Sequence, residues 1–271
     1  MPSEVRTVQA GDIPTSLREA GSGERVLVLV HGAEADGTMW DPYIRGLAVG
    51  RRVLAVDLPG HGGTGAPEDL DASAAGIARW FKRFLRAEGL DRVDLLGHSM
   101  GGTVALHLAL EAPDRVGRLV LVDPGGLCWP ASPIGEGVDG FLGRLVEGEV
   151  DEEGTRRFAS EIYGWDPDGE EARESARFWM RPGVRRFFAG GGLVFTRPLP
   201  VWRLRKLSPE TMLIWGERDR WFPLAMAREE MMYIPGYRLV VIEGGGHSPF
   251  VEAPDLFYMT VDSFLSDTED P

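Results

Sequence analysis

Ser99, Asp219 and His247 lie far apart in the chain, but their residue types together can make a nucleophile. A serine hydroxyl is unreactive at neutral pH until a base takes its proton. The imidazole that does so needs a carboxylate to fix its tautomer and stabilise its charge. Ser99 lies in Gly97-His98-Ser99-Met100-Gly101-Gly102. A short apolar run precedes this stretch, and residues 103–110 read as a buried helix. That strand–turn–helix context makes Gly-x-Ser-x-Gly a nucleophile elbow. The turn is too sharp for side chains beside the serine, so glycine flanks it. Asp219 stands just past a predicted strand at 212–215, and His247 just past another at 238–242. Strands of a parallel sheet end on one edge, so the three side chains can meet there. Asp123, which also follows a predicted strand, is the rival for the acid.

Acyl chemistry also needs two backbone N–H groups converging on a developing oxyanion. Met100, directly after the nucleophile, supplies one. Ala33 is the choice for the other, because Gly32 keeps the backbone open there. Glu34 is awkward, since a carboxylate aimed at an oxyanion opposes it. It is expected to point away or to be paired. The remaining histidines have plainer readings. His98 faces into the protein behind the elbow, and His107 sits on a buried helix face. His61 fixes a turn-rich loop, and His31 helps to hold the oxyanion loop.

The elements that position these residues alternate. Residues 5–8 and 15–19 read as an antiparallel pair at a sheet edge. Residues 26–30, 53–56 and 119–122 are continuous apolar runs, as strands buried on both faces require, and a shorter run at 93–96, with Arg92 before it and Asp94 within it, leads into the elbow. Helical spacing covers 40–47 and 72–87, the second with Ser73 or Asp71 as its cap. The pattern predicts an α/β fold with a mainly parallel, doubly wound sheet. The rhythm breaks after residue 123 and returns near 208. The division expected is therefore a core of 1–123 and 208–271 and an inserted helical cap of 124–207.

Within the cap, the stretch 175–209 holds eight basic residues and no acid, after an acid-rich stretch at 147–174. Either the two pair across the cap surface, or one arginine enters the pocket and grips a substrate carboxylate. The aromatic residues exceed what one small cap core requires. Trp129, Trp165, Trp179, Trp221 and Phe250 are the candidates to line an apolar pocket.

Composition narrows the function classes. The 271 residues carry a net charge of −13, which argues against a nucleic-acid partner. The single cysteine, Cys128, excludes an intrachain disulfide and a cysteine metal cluster. No apolar run is long enough to span a bilayer, and the N-terminus lacks the core of a signal peptide. The expectation is a cytoplasmic enzyme without metal or cofactor that acts on a small molecule.

His31-Gly32-Ala33, Asp57-Leu58-Pro59-Gly60-His61-Gly62, the Gly97–Gly102 stretch, Gly216-Glu217-Arg218-Asp219 and Gly246-His247 together resemble the α/β-hydrolase superfamily. The similarity lies with the branch that inserts a helical cap after the sixth core strand. It covers the core and leaves the cap unmatched. It implies an eight-stranded sheet, a Ser99–His247–Asp219 triad and cofactor-free chemistry. Haloalkane dehalogenases and epoxide hydrolases of that superfamily carry Asp at the position of Ser99, so neither activity is expected. Its C–C bond hydrolases usually carry Asn at the position of His98 and Trp at that of Ser248. The resemblance thus points to an esterase or lactonase, in the branch of cofactor-free haloperoxidase-like esterases. A C–C hydrolase, or a receptor, cyclase or lyase on the same fold, stands as the alternative.

Overall fold

The computed structural model describes residues 4–130, 137–163 and 165–266. Eight strands form one sheet: β1 (Glu4–Ala10), β2 (Ile13–Gly21), β3 (Val26–Val30), β4 (Arg52–Val56), β5 (Val93–His98), β6 (Val116–Val122), β7 (Glu210–Gly216) and β8 (Arg238–Ile242). Their order in space is β1-β2-β4-β3-β5-β6-β7-β8. β1 pairs antiparallel with β2 and β2 with β4, and every later pair is parallel. β3 is apolar along its whole length, and β4, β5, β6 and β7 are buried over most of theirs, because helices cover both faces. Leu27, Leu29, Leu96 and Val120 fill one face, and Val28, Leu95, Leu119 and Leu121 the other.

The helices are α1 (Ile44–Leu47), α2 (Ala74–Ala87), α3 (Met100–Glu111), α4 (Gly137–Glu147), α5 (Glu152–Tyr163), α6 (Glu170–Trp179), α7 (Pro182–Ala189), α8 (Val201–Leu204), α9 (Leu224–Met231), α10 (Pro249–Glu252) and α11 (Pro254–Ser266). Ser73 caps α2, its Oγ accepting from Gly76 N–H at 3.1 Å. The helix expected at 40–47 is instead a tight turn at Gly37–Trp40 followed by α1. Asp36 starts that turn by accepting from Thr38 N–H. Pro42, which has no N–H to donate, stops it from continuing.

Helices α4 to α8 all lie between β6 and β7, and α4 to α7 pack through aromatic rings. Phe141 stacks on Phe158 at 3.7 Å between centroids, and Trp179 meets Phe141 and Phe188 at 5.8 and 5.6 Å. This layer sits on His61, whose ring contacts Phe178 and Phe187. Among the described ion pairs, Arg177 bridges to Glu170, while Arg203 reaches back to Glu111 on α3.

Ser99 adopts φ +54°, a left-handed conformation that costs about 1–3 kcal/mol for a residue other than glycine. The glycines around it allow no side chain. A Cβ on Gly97 would collide with the Gly101 carbonyl, and one on Gly101 with the carbonyl oxygens of Val30 and His31. Gly101→Ala should therefore destabilise the protein by about 1–3 kcal/mol, read as a lower urea midpoint at unchanged m-value.

Four histidines are buried and held neutral. Burial pushes His61 and His98 down to about 3 and His107 to about 4, and it lowers His31 as well. An unfolded chain protonates these rings near pH 6.5. Between there and about pH 4 the unfolded state binds more protons, so stability falls as pH falls. Urea midpoints should drop from pH 7.5 to pH 5, and His107→Gln should make that drop shallower.

Candidate active site

β5 delivers Ser99 to the C-terminal edge of the sheet, and α3 starts at Met100 immediately behind it. The Ser99 backbone is fully engaged. Its N–H donates to Val122 O at 3.0 Å, and its carbonyl accepts from the N–H groups of Gly102, Thr103 and Gly125. The positive end of α3 therefore faces the serine hydroxyl, where negative charge is favoured.

The structure brings Ser99, His247 and Asp219 together. Ser99 Oγ donates to His247 Nε2 at 2.9 Å, and His247 Nδ1–H donates to Asp219 Oδ2 at 2.9 Å. His247 follows β8 and is half-buried, with Trp221 at 5.9 Å and Phe222 at 5.7 Å from its ring. Its carbonyl accepts from His98 Nε2–H at 2.8 Å, so the histidine behind the elbow holds the backbone of the one in front. Asp219 Oδ1 accepts from Trp221 N–H at 2.7 Å and Phe222 N–H at 3.1 Å. Burial alone would raise its pKa. The neighbouring His247 and the two N–H groups overcome that and hold the carboxyl below the usual aspartate range.

Asp123 lies beside this pair, fully buried, at φ +41°. Its Oδ1 accepts from Gly216 N–H at 2.9 Å, and burial followed by the charge of Asp219 raises it well above an ordinary aspartate. It keeps a proton where Asp219 does not. Ligand atoms of Asp123, Asp219 and His247 lie within 4.8 Å of one another, a spacing that a metal could use. Metal ligands must be deprotonated. A protonated Asp123, with His247 Nδ1 already committed to Asp219, does not suit an ion.

The other wall comes from the loop after β3. His31 is neutral, with Nδ1–H donating to Gly32 O and Nε2 accepting from Leu58 N–H at 3.0 Å. Asp57, which the sequence reading did not single out, ties the same loops together. Its two oxygens accept from Gly37 N–H at 2.7 Å and Gly63 N–H at 2.9 Å. Its place directly after β4, within the glycine-rich motif, was the available signal. Glu34 is paired, as the sequence required of it. Its Oε1 accepts from Ser175 Oγ at 2.9 Å and from Trp179 Nε1, both on α6.

Ser99 and His247 open into a cavity of about 610 Å³. Ala33 and Met100, the expected oxyanion donors, line it beside them. So do Trp165, Trp179, Trp221 and Phe250. Trp129 is not among them: it is 52% exposed, and it is its neighbour Pro130 that reaches the cavity. Leu127 and Cys128 take the buried positions of that segment, which Gly126 O anchors by accepting from Leu199 N–H, and Trp129 is left facing outward. Of the two readings of the basic run at 175–209, the one that sends an arginine into the pocket finds no arginine of that run among the described lining residues. The arginines among the described lining residues are Arg218 and Arg220, which flank Asp219 in its own loop. Arg185 and Arg186 are spent on the backbone carbonyls of Leu145 and Ala66.

A profile of the alpha/beta hydrolase fold matches residues 25–254. The chain is 30% identical over 276 residues to a 2-hydroxy-6-oxo-2,4-heptadienoate hydrolase of Pseudomonas putida, with 96% of each chain covered. It is 29% identical over 266 residues to a 2-hydroxy-6-oxo-6-phenylhexa-2,4-dienoate hydrolase of Burkholderia cepacia, covering 92% of this chain and 90% of that one. A carboxylesterase from Bacillus subtilis superposes with a TM-score of 0.79 at 23% identity, covering 98% of this chain and 92% of that one. At that identity the likeness speaks to the fold alone. The family match across most of the chain, together with relatives at 30% identity along nearly its whole length, makes this protein a member of the α/β-hydrolase superfamily of serine hydrolases.

Proposed function

We propose that the protein hydrolyses a carboxylic ester or lactone of a small, bulky or aromatic molecule through an acyl-enzyme on Ser99. The observation that carries this reading is the unbroken relay of 2.9 Å hydrogen bonds from Ser99 through His247 to Asp219, opening into an aromatic-walled cavity. His247 takes the Ser99 proton as Oγ attacks the acyl carbon, and Asp219 stabilises the imidazolium. The N–H groups of Ala33 and Met100 receive the oxyanion. As the tetrahedral intermediate collapses, the C–O bond breaks and the leaving alcohol takes the proton back from His247. Water, deprotonated by His247, then attacks the acyl carbon and releases the acid.

A second reading uses the same residues. The two relatives above are named as hydrolases of dienoates, which favours C–C bond hydrolysis. Comparing kcat/KM for p-nitrophenyl butyrate and for a 2-hydroxy-6-oxo-dienoate separates the two, and a clear preference for the dienoate would overturn the ester reading.

Ser99→Ala should lower ester turnover by roughly 10⁵–10⁶-fold with the fold intact by circular dichroism. A fluorophosphonate should label wild type at Ser99, as peptide mass spectrometry would show. Asp219→Asn should cost roughly 10⁴-fold in kcat by disturbing the imidazole tautomer. Asp123→Asn should leave kcat near wild type, because that carboxyl is already neutral and an amide oxygen can still accept from Gly216. The opposite ranking would move the acid to the loop after β6.

A further inference from the structure

Glu34 is an unusual residue to find where it is. It directly follows Ala33 in the wall that also holds Ser99, so an anionic group lies beside the place where the reaction itself would develop negative charge. Two side chains of α6, Ser175 and Trp179, both buried, donate to the same oxygen, Oε1. Donors of this kind stabilise a carboxylate and fix its direction. Glu34 is half-buried, and a charge out of bulk water is screened less than an exposed one. The cations lining the same cavity, Arg218 and Arg220, are exposed. Glu252, which accepts from Gly246 N–H at 2.5 Å, adds a second acid on the His247 side.

We infer that Glu34 is a specificity-determining residue that admits neutral acyl groups and rejects those carrying a carboxylate, while tying the oxyanion loop to α6 of the cap. The selectivity half rests on the hydrolase reading above. A substrate carboxylate in a cavity of this size lies within several ångströms of the fixed charge, and repulsion at that range is worth about tenfold or more in affinity. The positional half follows from the hydrogen bonds. The Glu34 backbone continues from the Ala33 N–H, so a side chain anchored on α6 sets where that N–H points.

Two substitutions separate the charge from the tie. In Glu34→Gln the amide oxygen, with its two lone pairs, still accepts from Ser175 and Trp179, but the charge is gone. In Glu34→Ala both are gone. With p-nitrophenyl butyrate and mono-p-nitrophenyl succinate, wild type should favour the butyryl ester by about tenfold or more in kcat/KM. Glu34→Gln should erase most of that preference, with succinyl kcat/KM rising relative to butyryl kcat/KM. Glu34→Ala should also lose butyryl kcat, with little change in KM. Selectivity identical in Glu34→Gln and wild type would overturn the inference. So would a wild-type preference for the succinyl ester, which would place Arg218 and Arg220 in control.

Calorimetric binding of hexanamide and of adipic acid monoamide keeps the test independent of turnover. Wild type should bind the neutral amide about tenfold more tightly, and Glu34→Gln should bind the two alike. Absence of that discrimination in wild type overturns the inference. Discrimination without turnover of any ester would instead retain Glu34 and remove the ester reading.

Discussion

The backbone turn at Ser99 is the constraint on which the site depends. A serine at φ +54° persists only because its surroundings leave it no alternative. Its N–H and carbonyl make four backbone hydrogen bonds, to the end of β6, the first turn of α3 and the segment after β6. Gly97 and Gly101 bring main chain against main chain at distances no side chain could occupy. The strain is local, and the sheet, the helix and the segment after β6 offset it together. In return the hydroxyl stands clear of the turn, at a helix N-terminus and within reach of a ring carried by β8, 148 residues later in the chain.

The same edge of the sheet holds two aspartates, and their environments divide one proton between them. Two adjacent buried carboxylates cannot both ionise, so the better-solvated one takes the charge. Asp219 has two backbone N–H donors and an imidazole N–H. Asp123 has one backbone donor and full burial. The donor count therefore selects the acid that faces His247. The neutral partner fills space and holds Gly216, the last residue of β7 before the loop that carries Asp219.

Legibility followed the range of the interaction. Continuous apolar runs and the glycines of the elbow are local signals, and they identified the sheet, the edge pair and the turn. The break near Pro42 was local too, yet the expectation of a helix over 40–47 ran through it. Trp129 could not be placed, because its direction depends on Leu127 and Cys128 claiming the interior first. The cavity's cations could not be placed either. Charge runs in the cap look like candidates, yet Arg185 and Arg186 are used on carbonyls contributed by other segments. Glu34 was legible as a problem, since no carboxylate sits well beside an oxyanion. Its solution was not, because Ser175 and Trp179 lie 141 and 145 residues away.

A Ser-His-Asp relay does not by itself distinguish an acyl C–O bond from an acyl C–C bond. In both, a nucleophile adds to a carbonyl and a proton reaches the departing atom. What differs between substrates is the charge that must be accommodated around the reacting carbon. A cavity with a fixed, hydrogen-bonded carboxylate in its wall and guanidinium groups out in solvent has a sign. On the inference drawn from Glu34, its interior disfavours anions. For an ester that polarity suits both ends of the cycle. A neutral substrate enters without charge repulsion, and the carboxylate product, formed beside Glu34, is pushed toward the arginines at the rim. For a dienoate the same field opposes binding from the start. The geometry of Glu34 thus bears on the choice of bond as well as on the choice of acyl group.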